Sequence, residues 1–149
     1  MMKDKRSQIK QLMDILYNID VQYSRAARAL GFKENLFWFL YALDNNEPIS
    51  QKQMIIDRQM PKTTLNTIVK ECEKKGYITF QSIKGQKREK MVVVTESGKK
   101  YAQEMLKKIY KAEEKAFSDT KDREKLIELA TSYYKNLKKS FNEHILRNK

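Results

Sequence analysis

Hydrophobic positions recur along most of the chain at spacings of three and four residues, which is the period of an α-helix. A stripe of this kind covers residues 7–30 and stops before Gly31, a residue typical of helix C-termini. Residues 34–44 are apolar on nearly every side, which predicts a central buried helix. Two further amphipathic stretches, at about 96–117 and 122–147, predict long helices, the first of them capped by Thr95. The pattern therefore predicts a mainly α-helical protein.

The middle of the chain predicts two shorter helices in succession. The first covers about 51–58, because Ser50 is a good N-cap residue and Gln53, three residues later, completes a capping box. The second covers 61–75, with Pro61 at its first position, where the missing N–H costs nothing. Two short helices joined by a brief turn indicate a helix-turn-helix.

A β-hairpin is predicted directly after the second helix. Residues 77–83 and 91–95 are β-like, and Ile49 is a candidate for a very short additional strand. The segment 84–90 holds four cations, one anion and a glycine. Because a tight two-residue turn rarely has this composition, a longer, projecting loop is predicted. The predicted fold is thus mainly α with a small β-hairpin wing, a winged helix-turn-helix.

The helix predicted over 61–75 has two contrasting faces. Its apolar side chains share one face at helical spacing: Leu65, Ile68, Val69 and Cys72. The opposite face and the N-terminal end are free of acids and offer these candidate contacts: Lys62, Thr63, Thr64, Asn66, Thr67 and Lys70. Such side chains suit base edges and phosphates in a DNA major groove, and the positive end of the helix dipole attracts phosphate. The alternative is a solvated face, although such faces usually carry interleaved Glu and Lys.

The basic loop of the hairpin offers a second set of candidate contacts. Beside a helix that reads the major groove, Arg88 would enter the adjacent minor groove, whose potential favours arginine. Three lysines, Lys84, Lys87 and Lys90, would contact phosphates. The alternative is a sheet edge that is kept soluble by its charge.

The distribution of charge agrees with this placement. The formal net charge is +12. Residues 61–90 hold eight Lys or Arg and three Asp or Glu, a net +5, whereas residues 91–149 hold 14 and 9, the same +5 over twice the length. Positive charge is therefore densest on the second helix and the hairpin, and a basic patch attracts phosphate backbones by counterion release. The alternative is a lysine-rich solvated surface.

Length and composition argue against several other classes of protein. A chain of 149 residues is expected to form one domain with a real core. It contains no apolar run near the ~18 residues of a membrane helix, and its charged start lacks the apolar region of a signal peptide, so a cytoplasmic protein is expected. One Cys and one His, far apart, predict neither a disulfide nor a metal site, and no cofactor is expected. No catalytic motif is evident, so an enzyme is not expected.

Apolar surface and aromatic residues raise two further points. Three long amphipathic helices exceed what a small winged-helix core can cover, which predicts a homodimer. A dimer would also let two recognition helices meet half-sites one turn of DNA apart.

Trp38 and Tyr41 carry polar edges and are candidates for lining a ligand cleft, the alternative being ordinary core packing.

These residues resemble the MarR family of bacterial winged helix-turn-helix regulators over about residues 8–147. The sequence Pro-Lys-Thr-Thr-Leu-Asn-Thr-Ile-Val-Lys-Glu-Cys-Glu-Lys-Lys-Gly-Tyr-Ile, residues 61–78, is similar to the recognition helix of that family and its closing turn. The sequence Val-Thr-Glu-Ser-Gly, residues 94–98, is similar to the Leu-Thr-x-x-Gly at the start of the family's fifth helix. Counting back from Thr95 places Arg88 on the arginine of the family's wing tip.

The resemblance implies an architecture. It implies six helices in each subunit of a homodimer, with the first, fifth and sixth helices intertwined. Residues of about 32–98 would form the winged-helix DNA-binding lobe, and about 7–30 and 96–147 the dimerisation region. Many relatives bind phenolic or lipophilic effectors between these two regions. The aromatic candidates for such a pocket are Tyr17, Tyr23, Trp38 and Tyr41.

Two positions depart from the family pattern. Gln86 stands where an Asp two residues before the wing arginine usually buttresses it, so Arg88 would be held differently and Gln86 joins the candidate wing contacts. Cys72 replaces a Leu at the end of the recognition helix. Some relatives sense oxidants through cysteines, but an inward-facing Cys behaves as a small hydrophobe of low reactivity.

The residues and the resemblance together predict a sequence-specific regulator of transcription that binds a pseudo-palindromic operator in double-stranded DNA as a homodimer. Repression is favoured over activation. The alternative from another class is a winged-helix adaptor whose basic face binds an acidic protein. The acid-free stripe on the second helix favours DNA, because adaptors more often place apolar or mixed charged side chains there.

Overall fold

The computed structural model describes residues 4–44, 47–58 and 60–148. Within these ranges a few side chains are not described: Asp57, Arg58, Ile83, Gln86, Lys87, Arg88, Glu89 and Asn148. The elements in chain order are α1 (Lys5–Ala29), α2 (Glu34–Leu43), β1 (Ile49–Ser50), α3 (Gln51–Arg58), α4 (Lys62–Lys74), β2 (Ile78–Ile83), β3 (Gln86–Val94), α5 (Glu96–Asp119), α6 (Arg123–His144) and a 3-10 helix (Leu146–Asn148). This order confirms the predicted winged helix-turn-helix.

The first two helices agree with their sequence patterns. Helix α1 begins two residues earlier than predicted, because the carboxylate of Asp4 accepts from the N–H of Arg6 at 2.6 Å and caps the helix. It ends before Gly31, whose φ of +81° is the left-handed conformation expected at that position. Helix α2 supplies much of the core, with four side chains at most 2% exposed: Phe37, Phe39, Leu40 and Leu43. The prediction of a central buried helix is confirmed.

The helix-turn-helix consists of α3 and α4. The hydroxyl of Ser50 accepts from the N–H of Gln53 at 2.9 Å, which confirms the predicted cap of α3. Pro61 precedes the first helical residue of α4 and has an extended ψ of 134°, so its prediction as the first residue of the helix was wrong by one position. The turn between α3 and α4 includes Gln59, and the segment between α2 and β1 includes Asn45 and Asn46; these three residues lie outside the described residues.

Three antiparallel strands form one sheet in the order β1-β3-β2. Ile49 pairs with Val92, which confirms the short first strand. Ile83 pairs with Gln86, so the hairpin turn contains only Lys84 and Gly85. The prediction of a long projecting loop over 84–90 was therefore wrong.

Two features of the backbone explain the shorter turn. Gly85, the second residue of the turn, adopts a φ of +89°, a left-handed conformation that glycine supplies without steric cost. The register then shifts, because Ser82 pairs with Lys90 while Ile83 pairs with Gln86. Residues 87–89 of β3 fall at this shift of register, so the extra length sits inside the strand instead of the loop.

Two compact units divide the described chain, Met1–Lys107 and Lys108–Lys149. Helix α5 crosses that boundary. Its most deeply buried side chains in the first unit are Ala102 and Leu106, both 0% exposed. The predicted span 122–147 became α6 and a short 3-10 helix, and no side chain of α6 is buried. None of the helices in the described ranges is long and apolar enough to cross a membrane.

Candidate nucleic-acid interface

Helix α4 is held in place by an apolar face. The predicted inward residues are all at most 8% exposed: Leu65, Ile68, Val69 and Cys72. The helix contacts α2, α3 and β2. Fully burying a Leu, Ile or Val side chain stabilises a fold by roughly 1.5–3 kcal/mol, so this face anchors α4 firmly in the lobe.

The opposite face of α4 is open to solvent. Five of the six predicted contacts are exposed: Lys62, Thr63, Asn66, Thr67 and Lys70. Thr64 is half-buried and contributes less to the surface. The first turn carries no acidic residue, and the two acids of the helix, Glu71 and Glu73, lie in its C-terminal half. The helix therefore presents a polar surface whose N-terminal half is free of negative charge.

One hydrogen bond orders this exposed surface. The hydroxyl of Thr67 donates to the backbone carbonyl of Thr63 at 3.1 Å. Asn66 makes no side-chain hydrogen bond within the described part of the chain, and its amide carries both a donor and an acceptor. The arrangement offers an amide, threonine side chains and two lysines to a partner along a stripe of about two and a half turns.

The hairpin brings further positive charge to the same lobe. Lys84, in the turn, and Lys90, on β3, are both exposed. The Nζ of Lys90 lies 5.8 Å from the centre of the Phe80 ring on β2, within the range of a cation–π contact. The predicted wing contacts Gln86, Lys87 and Arg88 belong to β3 by their backbone, but their side chains lie outside the described part of the structure.

Hydrogen bonds of Thr95 and a pair of stacked tyrosines connect the end of α4 to the start of α5. The hydroxyl of Thr95 donates to the carbonyl of Gly76 at 2.6 Å and accepts from the N–H of Gly98 at 3.0 Å. The N–H of Thr95 donates to the carbonyl of Tyr77 at 3.0 Å. The ring of Tyr77 stacks on that of Tyr101, with centroids 4.3 Å apart and an interplanar angle of 10°. We call this arrangement the Thr95 joint.

Only part of the Thr95 joint follows from the sequence. The cap that Thr95 provides for α5 was predicted and is confirmed. The bridge to Gly76 and the stack of the two tyrosines were missed, because each joins residues far apart in the sequence, which local sequence patterns do not record. Burial raises the pKa of Tyr101, and the nearby Tyr77 and Cys72 raise it further.

Cys72 is built into the core of the lobe. It is 5% exposed, and burial raises the pKa of its thiol, while Lys75 opposes this shift and Glu71 adds to it. A protonated, enclosed thiol is a weak nucleophile. The described residues contain no group of three or more His, Cys, Asp or Glu side chains that could hold a metal ion.

The aromatic residues proposed for an effector pocket are only partly gathered. Tyr23, Trp38 and Tyr41 form one cluster, with ring centroids 5.5–6.3 Å apart. Phe37 joins them, 4.9 Å from Trp38. Tyr17 is 68% exposed and makes no ring contact with that cluster in the described ranges. The cluster is thus an aromatic patch between α1 and α2, with Tyr17 outside it.

Comparison with known proteins gives structural neighbours. No family model and no curated protein matches the chain. The regulator NMB1585 of Neisseria meningitidis, a MarR family protein, has a TM-score of 0.68 at 22% identity, covering 99% of this chain and 100% of its own. BldR of Sulfolobus solfataricus, a transcriptional regulator, has a TM-score of 0.67 at 19% identity, covering 90% and 99%.

One neighbour is a complex. It is a MarR family regulator from Listeria monocytogenes bound to 26mer DNA, with a TM-score of 0.60 at 21% identity, covering 95% of this chain and 91% of that one. All three matches extend over at least nine-tenths of this chain. The protein therefore has the winged helix-turn-helix fold of the MarR family transcriptional regulators.

Proposed function

We propose that this protein is a MarR-type transcriptional regulator that binds a pseudo-palindromic site in double-stranded DNA as a homodimer. The observation that carries the proposal is helix α4, whose apolar face is buried while its other face is exposed and free of acids in its N-terminal half. A rigidly held helix with such a face is suited to the major groove. The DNA-bound neighbour of the same fold supports this use of the lobe.

The candidate contacts separate by their chemistry. Asn66 has an unused amide, which can pair with the edge of an adenine, and Lys70 can reach either a guanine or a phosphate. Lys62, Thr63 and Thr64 occupy the first turn of α4, where N–H groups and the helix dipole favour phosphate. On the hairpin, Lys84, Gln86, Lys87 and Lys90 would follow the backbone of the DNA, and Arg88 would enter the minor groove.

Exposed apolar side chains support the homodimer. Four of them recur at helical spacing on α1 with 39–51% exposure: Ile9, Met13, Leu16 and Ile19. Others on α6 are 46–58% exposed: Leu126, Ile127, Leu129 and Phe141. Exposed apolar surface of this extent marks an interaction site, and a two-fold dimer would cover it on both copies. The dimer would also set the spacing between two α4 helices.

We further propose that the protein is cytoplasmic and represses transcription. The cluster of Tyr23, Trp38 and Tyr41 could contribute to a site for an aromatic or lipophilic effector, because aromatic faces and edges accept such ligands.

The test is binding to DNA at two salt concentrations with a matched pair of variants. Fragments from upstream of the protein's own gene would be titrated at about 50 and about 200 mM salt. Lys70→Gln removes a charge from the α4 face, whereas Lys107→Gln removes one from an exposed position on α5. We expect specific binding by the wild type, and a salt slope that falls by about 1 for each bound copy of Lys70→Gln. Lys107→Gln should leave the slope unchanged.

The outcomes separate the two classes of function. Equal salt slopes for both variants would show that α4 does not face the phosphates. Absence of specific binding at physiological salt, with the fold intact, would favour the adaptor that binds an acidic protein. An Arg88→Ala variant extends the test to the hairpin, since loss of a minor-groove contact should weaken binding most where the flanks are rich in A·T pairs.

A further inference from the structure

The exposed threonines of helix α4 are not equivalent. Thr63 lies in the first turn, where α4 has no carbonyl four residues earlier to accept its hydroxyl. Its side chain makes no hydrogen bond within the described ranges. Thr67 lies one turn further along, and its hydroxyl donates to the carbonyl of Thr63 at 3.1 Å. The two side chains point along the same ridge of the helix but differ in what they leave for a partner.

The bond of Thr67 follows from helix geometry. Thr131 of α6 donates in the same way to the carbonyl of Ile127 at 2.7 Å, and Thr120 donates to that of Ala116 at 2.8 Å. A threonine that has a full turn of helix beneath it therefore tends to turn its hydroxyl towards the backbone. The same rule accounts for the bond of Thr67, whereas Thr63 makes no such bond within the described ranges.

The hydrogen bond from the hydroxyl of Thr67 to the backbone limits the contacts that this residue can make with DNA. A threonine hydroxyl has one proton, and in Thr67 that proton is already donated to the backbone. The branched side chain is also stiff about its first torsion, so the bond holds its orientation. What remains on this exposed residue for a partner is its methyl group and the lone pairs of Oγ1.

We propose that Thr67 selects thymine at one position of each half-site through contact between its methyl group and the C5-methyl of the base. This inference rests on the proposed DNA-binding function and names a residue that sets its specificity. In the major groove only thymine presents a methyl group, and a threonine methyl is one of its ordinary partners. Thr63 and Thr64, at the N-terminal end, keep their hydroxyls for phosphates and carry no base preference.

A pair of near-isosteric variants separates the methyl from the hydroxyl. Thr67→Ser keeps the hydroxyl and removes the methyl. Thr67→Val keeps a methyl and removes the hydroxyl. Both changes are at an exposed position, so the fold is not at risk. The matching change in the DNA is deoxyuridine for thymidine at single positions of a selected operator, which removes only the C5-methyl.

Wild-type protein should lose about fourfold in affinity per half-site when the contacted thymidine becomes deoxyuridine, the value for one buried methyl. Thr67→Val should retain this fourfold preference. Thr67→Ser should bind both operators nearly equally, so the protein and DNA changes would be non-additive.

Two other outcomes overturn the inference in distinguishable ways. If Thr67→Val loses the preference and Thr67→Ser keeps it, the hydroxyl reads the base and the methyl assignment is wrong. If the effects of the protein and DNA changes simply add at every thymidine, Thr67 does not contact a thymine methyl, although the DNA-binding function stands. If wild-type protein prefers no operator over scrambled DNA, the proposed function fails together with this inference.

Discussion

Gly98, in the first turn of α5, provides a sharp test of the Thr95 joint. Replacing glycine with alanine inside a helix normally stabilises it by about 0.5–1 kcal/mol, because alanine loses less conformational entropy. At this position the added Cβ would overlap the carbonyl oxygen of Tyr77 and lie 2.7 Å from the carbonyl carbon and 2.9 Å from Cα. All three atoms belong to backbone that cannot rotate away. Gly98→Ala should therefore destabilise the protein.

The expected loss of stability follows from the contacts that the added methyl group would disrupt. Relieving the overlap requires the start of α5 to move away from Tyr77, and overpacking of this kind costs about 1–3 kcal/mol. The same movement stretches the bonds from Thr95 to Tyr77 and to Gly76, each of which contributes about 1 kcal/mol. After subtraction of the helix gain, Gly98→Ala should lower the free energy of unfolding by about 2–4 kcal/mol.

Urea unfolding followed by far-UV circular dichroism would measure this difference. The matched control is Ser97→Ala, an exposed neighbour in the same turn, whose effect should stay within about 0.5 kcal/mol. Protein concentration must be equal throughout, because the stability of the proposed dimer would depend on it. An alanine variant at Gly98 that is as stable as the wild type would refute the close approach to Tyr77.

Two further predictions concern the same lobe. Thr95→Ala should lose about 1–2 kcal/mol of stability, because the cap of Gly98 and the bridge to Gly76 both disappear. Thr95→Ser should keep most of this, and equal losses in the same urea assay would assign the effect to the methyl group. Iodoacetamide should alkylate Cys72 more slowly in native protein than in urea. Since burial raises its thiol pKa, the native rate should rise with pH with a midpoint above that of the unfolded thiol; coincident profiles would show an accessible thiol.

Helix α4 was the most predictable part of the candidate site. Its apolar residues repeat at one spacing only, so the helical period separates an inward from an outward face without knowledge of the partner elements. The structure confirms Leu65, Ile68 and Val69 as buried and Asn66 and Lys70 as exposed. That these exposed residues meet DNA stays a prediction, because exposure alone does not identify a ligand.

Helix α5 was harder, because its apolar residues fit two overlapping stripes. Tyr101, Met105 and Ile109 share one face at a spacing of four residues, and the structure leaves Tyr101 and Met105 half-buried but buries Ile109. Ala102 and Leu106, on the neighbouring face of the helix, are fully buried. A helix with two adjacent apolar faces can bury either of them. Which face is buried depends on tertiary packing, which the period of the sequence does not record.

Gly85 and Gly98 show why local sequence rules reach only part of this structure. Gly85 has a φ of +89° and no described atom within 4 Å of the place of a Cβ, so its role is conformational and turn chemistry can in principle predict it. Gly98 does not have a positive φ, and it matters because the backbone of Tyr77, 21 residues away, occupies the space of a side chain. That requirement comes from the packing of two distant segments. Gly98 therefore marks a tertiary contact between the start of α5 and the backbone of Tyr77, and helix propensity does not predict that contact.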